Sequence, residues 1–202
     1  MAISNLKSPV SSRIVTVPNL LTIFRMALVP VFVSLLFYQK FLLALGAFVL
    51  AGVTDGLDGL LARRFHQQSP LGRILDPIAD KLMLVTAFIV LSMKSVYPAP
   101  IPGHLPIPFW VTITVISRDV FILVGAAAIN MVTGFRTFAP SLPGKISTVV
   151  QIIAVAVVML SAQTRVCTGY YLPTVYAAVF AMALLSGFHY IFFVSRQLNE
   201  RP

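Results

Sequence analysis

The sequence predicts an all-α integral membrane protein, with six transmembrane helices in one bundle and both termini cytoplasmic. Three observations predict it. Of 202 residues, 58% are hydrophobic and 10% charged, against about 25% charged in soluble domains, and the mean hydropathy is +0.91. Apolar runs recur that are long enough to cross a hydrocarbon core of about 30 Å, which takes about 20 helical residues. The basic residues gather in alternate connections between those runs, the pattern expected of cytoplasmic loops.

Runs of this length exceed ordinary strands, and backbone in lipid must satisfy its own hydrogen bonds, which selects helix. Residues 1–17 read as a polar, interfacial segment. Lys7 and Arg13 precede an apolar run too long for a signal peptide and lacking a small-residue cleavage signature, so the first span is expected to stay uncleaved. Pro18 opens the first span, 18–38, and the second, 41–62, gives way to Arg63 and Arg64. The third is expected over 76–97, before the cluster Pro98, Pro100, Pro102, Pro106 and Pro108. The fourth spans 107–133 and gives way to Pro140 and Pro143; the fifth and sixth are placed at 146–163 and 171–195. Residues 18–202 thus form one transmembrane domain. Tyr97, Trp110, Tyr170, Tyr171 and Tyr190 fall toward span ends, where aromatic belts meet the headgroups.

With the termini cytoplasmic, that side holds Lys7, Arg13, Arg63, Arg64, Arg73, Lys81, Arg136, Lys145, Arg196 and Arg201, and the opposite side only Lys40, Lys94 and Arg165. The formal charge of +9 is then a matter of topology and of attraction to anionic headgroups. Nucleic acid is not needed to explain it. Cys167 is the only cysteine, which excludes an internal disulfide and a cysteine-based metal cluster.

The chemistry lies in the acids. There are six: Asp55, Asp58, Asp76, Asp80, Asp119 and Glu200. Asp55 and Asp58 are spaced i, i+3 at the end of the second span, and Asp76 and Asp80 are spaced i, i+4 at the start of the third, so each pair shares a face of its helix. A short helical hairpin could bring all four together. Carboxylates at a membrane cost about 2.5 to 3.5 kcal/mol each on insertion scales, and a cluster of them marks function. Mutually repelling anions require a cation between them. Oxygen-only ligands select a hard divalent ion, Mg2+ or its replacement Mn2+.

Blander readings apply to single residues. Asp76 before Pro77 resembles an N-cap before a proline at the first helical position. Asp80 could complement the positive end of the third helix, but Asp55 and Asp58 lie where the helix dipole disfavours anions. Gly56 reads as a packing glycine, whereas Gly59 and Gly72 would let a ligand approach the backbone. Arg63 is placed either to meet an anion or simply as a cytoplasmic charge, and His66 reads as a loop residue.

The stretch Asp55-Gly-Leu-Asp58-Gly59-Leu-Leu-Ala62-Arg63, then eight residues, then Gly72-Arg-Ile-Leu-Asp76-Pro-Ile-Ala-Asp80 resembles the signature DxxDGxxAR…GxxxDxxxD of the CDP-alcohol phosphatidyltransferases without a gap or substitution. Pro18-Asn19-Leu-Leu-Thr22 followed by Arg25, and the six-helix layout, are similar to that family as well. The resemblance implies Asp55, Asp58 and Asp76 as metal ligands, and Asp80 as a metal-associated residue and catalytic base. It implies Gly59, Ala62, Arg63 and Gly72 around the CDP moiety, and a site of two divalent ions. It further implies CDP-diacylglycerol as donor, CMP as leaving group, a multi-pass protein of the bacterial inner membrane with its active site on the cytoplasmic side, and a possible homodimer.

The signature reads only the cytidine diphosphate half, so the acceptor must be read elsewhere. Arg118 within the fourth span and Lys145 after Gly144 could bind the phosphate of glycerol 3-phosphate, and both resemble acceptor-phosphate positions of the phosphatidylglycerophosphate synthases. A structural pairing of Arg118 with Asp119 is disfavoured here because i, i+1 neighbours face apart on a helix. Ile116-Ser117-Arg118-Asp119-Val120 is also similar to the cardiolipin synthases, which makes phosphatidylglycerol the alternative acceptor and an inositol phosphate a third. A divalent-cation transporter is the alternative of another class. It predicts acids along a pore, whereas four of these six cluster at one face and none lies in spans 1, 5 or 6.

Overall fold

A computed structural model describes residues 17–65, 72–101, 103–133, 142–164 and 169–199. Its regular elements are all helical: α1 (Val17–Phe37), α2 (Phe41–Phe65), α3 (Gly72–Leu91), a 3-10 turn at Lys94–Val96, α4 (Phe109–Thr133), α5 (Leu142–Thr164) and α6 (Leu172–Asn199). No strand occurs among the described residues. The expected interfacial segment, His66 and Arg136 lie outside them. Leu20–Phe37, Leu142–Thr164 and Leu172–Phe192 are each long and apolar enough to cross a membrane. Large side chains such as Leu20, Val149, Ile153, Leu185 and Phe188 remain exposed on them, as lipid-facing positions require.

Proline sets several starts. Pro18, Pro143 and Pro173 each fall at the second residue of their helix, where the missing N–H is not needed. The clearest departure from expectation is α3, which begins at Gly72 and ends at Leu91 instead of spanning 76–97. Asp76 therefore lies a full turn inside the helix and Pro77 deeper still, so the N-cap reading of Asp76 fails. Helix formers Arg73, Ile74 and Leu75 carry the helix upstream of the Asp-Pro pair, which only imitates a helix start. At the other end the Leu91 carbonyl accepts from the Tyr97 hydroxyl at 2.8 Å and from the Ile107 N–H at 3.1 Å. Ser92 turns its hydroxyl back to the Phe88 carbonyl at 2.7 Å. These bonds serve carbonyls that another helical turn would otherwise have to satisfy.

The chain divides into two compact units. In the first, Met1–Phe32 with Gly46–Met83, the rings of Phe32 and Phe48 meet at 5.9 Å, and Thr22, Arg25, Ala51, Thr54, Ala79 and Met83 are buried. The Thr54 hydroxyl is satisfied within α2 by the carbonyls of Leu50 and Ala51. In the second, Val33–Leu45 with Leu84–Pro202, α6 packs on α4 and α5. The buried stripe of α5 runs through Ser147, Gln151, Ala154, Val155, Val158 and Ala162, the three-and-four spacing of one helix face. Trp110 meets Phe180 edge-on at 5.3 Å, Phe41 stacks on Tyr97 at 5.7 Å, and the hydroxyls of Ser92 and Thr112 lie 2.5 Å apart.

Candidate functional site

α2 runs unbroken through Asp55 and Asp58, and α3 runs unbroken through Asp76 and Asp80. Helical register therefore places each pair on one face, as its spacing predicts. Of the four, Asp55 is the one whose side chain is described. The side chains of Asp58, Asp76 and Asp80, and those of Gly59, Ala62, Arg63 and Gly72, lie outside what the structure describes. Among the described residues no three potential metal ligands come together.

The Asp55 carboxylate is 43% exposed and its Oδ1 stands 2.5 Å from Nη1 of Arg25, whose side chain is 2% exposed. Arg25 is the only charged residue of α1. A guanidinium that is this deeply buried needs an anion close by, and Asp55 supplies it. Thr22, one turn before Arg25, is fully buried. Sequence reasoning placed Arg25 only within a family resemblance and gave it no partner. The signal was present: an arginine inside an apolar span must be paired, and the chain has few acids to pair it with.

A Cβ on Gly56 would meet nothing within 4 Å. Among the described residues, none packs against that position.

Arg118 corrects a second expectation. Its Nη1 donates to Oδ1 of Asp119 at 2.6 Å, and the two side chains are 8% and 9% exposed. The side chain is long enough to bend back to its neighbour, so the i, i+1 spacing that argued against the pair does not prevent it. Nη2 of Arg118 donates to the hydroxyl of Ser186 in α6, and Nε is buried without a hydrogen-bond partner among the described residues. Arg118 also lines a groove of about 390 Å3 between α4 and α6, walled by Ile113, Phe121, Leu184, Phe188 and Ile191. Lys145 is exposed in the first turn of α5.

The donor chemistry fits a divalent cation. The four aspartates offer hard oxygen donors alone, helical register pairs them, and the one described carboxylate is accessible while held by a cation on one oxygen.

Residues 15–191 match the family model described as CDP-alcohol phosphatidyltransferase. The chain is 33% identical over 194 residues to a cardiolipin synthase (CMP-forming) of Rattus norvegicus, an alignment covering 87% of this chain and 61% of that protein. It is 33% identical over 182 residues to a CDP-diacylglycerol–glycerol-3-phosphate 3-phosphatidyltransferase of Pectobacterium atrosepticum, covering 87% of this chain and 92% of the relative. A shorter alignment, 46% identical over 82 residues and covering 39% of this chain and 42% of the relative, joins it to the Pseudomonas fluorescens protein of the same name. The chain spans 61% of the length of the rat and human cardiolipin synthases it matches. It belongs to the CDP-alcohol phosphatidyltransferase family.

Proposed function

We propose that this chain transfers the phosphatidyl group of CDP-diacylglycerol to glycerol 3-phosphate, yielding phosphatidylglycerophosphate and CMP. The observation that carries this reading is the unbroken register of α2 and α3 through both aspartate pairs, in a chain matched by the family model across both helices. The printed name of the Pectobacterium atrosepticum relative, which the chain covers almost entirely, supports the acceptor.

In this reading Asp55, Asp58, Asp76 and Asp80 hold two divalent cations, Mg2+ or Mn2+. Such an ion, general in the family, offsets diphosphate charge when bound. Gly59, Ala62, Arg63 and Gly72 surround the CDP moiety: the glycines let it approach the backbone, and the guanidinium offers paired donors to its phosphates. Asp80 accepts the proton of the acceptor hydroxyl as that oxygen bonds to the β-phosphorus. The bond from β-phosphorus to the bridging oxygen breaks, and CMP leaves with that oxygen. Lys145 and Arg118 bind the acceptor phosphate. Six spans with cytoplasmic termini would put this chemistry at the cytoplasmic surface of a bacterial inner membrane, with the acyl chains left in lipid; the basic residues of the connections support that side.

A second reading, cardiolipin synthesis with phosphatidylglycerol as acceptor, is favoured by one observation. The Arg118 guanidinium is engaged by Asp119 and Ser186 beside an apolar groove, a setting better suited to a lipid than to a soluble phosphate monoester. The test offers glycerol 3-phosphate, phosphatidylglycerol and inositol phosphate separately to the purified protein with CDP-diacylglycerol and Mg2+, and identifies each lipid product. Phosphatidylglycerophosphate from the first acceptor alone is the expected result. Cardiolipin from the second alone would replace that acceptor with the lipid.

A further inference from the structure

We infer that Arg25 is the positioning residue of the metal site, holding Asp55 by one carboxylate oxygen so that the other is presented to the cation. The inference rests on the reading of Asp55 as a metal ligand. Arg25 is 2% exposed and stands 2.5 Å from Oδ1 of a carboxylate that is 43% exposed. The buried partner is the fixed one, and the accessible partner is the one that it orients. Asp55 projects from a helix whose next residue, Gly56, meets no described residue at its own Cβ position. The guanidinium in α1 supplies a restraint on the aspartate from a neighbouring helix. The contact is an ion pair at 2.5 Å; carboxylates that bind metals are commonly held from behind by an outer partner, and loss of such a partner costs about 10- to 100-fold in metal affinity or activity.

Electrostatics alone predicts the opposite sign, which makes the role testable. A positive charge beside a cation site repels the cation, so if Arg25 only neutralised Asp55, removing it would tighten metal binding. If it positions Asp55, removing it weakens binding. Lysine retains the charge but lacks the planar fork of donors, so Arg25→Lys isolates geometry from charge.

The experiment measures Mn2+ binding by electron paramagnetic resonance to full-length protein in detergent, each variant first shown to be monodisperse. Native protein is compared with Arg25→Gln, Arg25→Lys, Asp55→Asn and the Arg25→Gln/Asp55→Asn double variant. The expected result is an affinity at least about tenfold weaker in Arg25→Gln, weaker also in Arg25→Lys, and no weaker in the double variant than in Asp55→Asn. If Arg25→Gln does not fold, Arg25→Lys decides. Native or tighter Mn2+ binding by a folded Arg25 variant, with Asp55→Asn weakened, overturns the positioning role and leaves the metal reading standing. Native binding by Asp55→Asn overturns the metal reading itself, and the role of Arg25 with it.

Discussion

Arg118 of α4 donates to Asp119, its neighbour in sequence, and to Ser186 of α6 from the other arm of the same guanidinium. One buried cation therefore neutralises a buried acid and ties two helices together. With side chains 8% and 9% exposed, neither charge has water to fall back on. Asp119→Asn is expected to destabilise the protein by about 3 to 5 kcal/mol, the cost of leaving one member of a buried pair uncompensated. Arg118→Met with Asp119→Leu should cost less than Asp119→Asn alone, because it removes both charges. Thermal unfolding in detergent micelles measures both.

Lys145 is the more accessible of the two proposed acceptor cations. Lys145→Ala is expected to raise KM for glycerol 3-phosphate about tenfold or more, the worth of a charge-assisted hydrogen bond, while KM for CDP-diacylglycerol stays near native. Steady-state kinetics with each substrate varied in turn checks this. A rise confined to CDP-diacylglycerol would move Lys145 to the donor side.

Gly125 and Gly187 should respond in opposite directions to alanine. A Cβ on Gly125 would come within 2.8 Å of the Tyr190 ring and 3.1 Å of its hydroxyl, so Gly125→Ala overpacks α4 against α6 and is expected to cost about 1 to 3 kcal/mol. The cost should vanish when Tyr190 is also replaced by alanine. At Gly187 a Cβ meets nothing within 4 Å among the described residues, and Gly187→Ala should stabilise α6 by about 0.5 to 1 kcal/mol through reduced backbone entropy. Melting temperatures of the variants provide the comparison.

Most of the helical frame was legible because apolar run length and flanking prolines are local signals. α1, α2, α4 and α6 start within two residues of their expected positions. α3 was misplaced at both ends for physical reasons. Asp76-Pro77 looks locally like a helix start, and the stop at Leu91 depends on the Tyr97 hydroxyl and the Ile107 N–H, partners that no short-range pattern reveals. The aspartate register was legible because helix spacing alone sets it. The pair Arg25 and Asp55 was not, since it joins residues far apart in sequence, although counting charges inside spans narrows the choices. The pairing of Arg118 with Asp119 was misread because helix-face geometry describes where side chains leave the backbone and not how far a long one can bend.

Asp80 carries the proposed proton transfer. Asp80→Asn is expected to lower turnover by at least about 100-fold, the contribution of a positioned general base, with the protein still monodisperse in detergent. Turnover near the native rate would remove Asp80 from that role.

The most direct test of the account is CMP release from CDP-diacylglycerol by the purified protein, assayed with glycerol 3-phosphate and Mg2+, then after chelation, then after Mg2+ is restored. Release that stops on chelation and returns with the ion is the predicted result. Release unaffected by chelation, or no release with any acceptor from protein shown to be folded, would contradict a metal-dependent phosphatidyl transfer at the four aspartates.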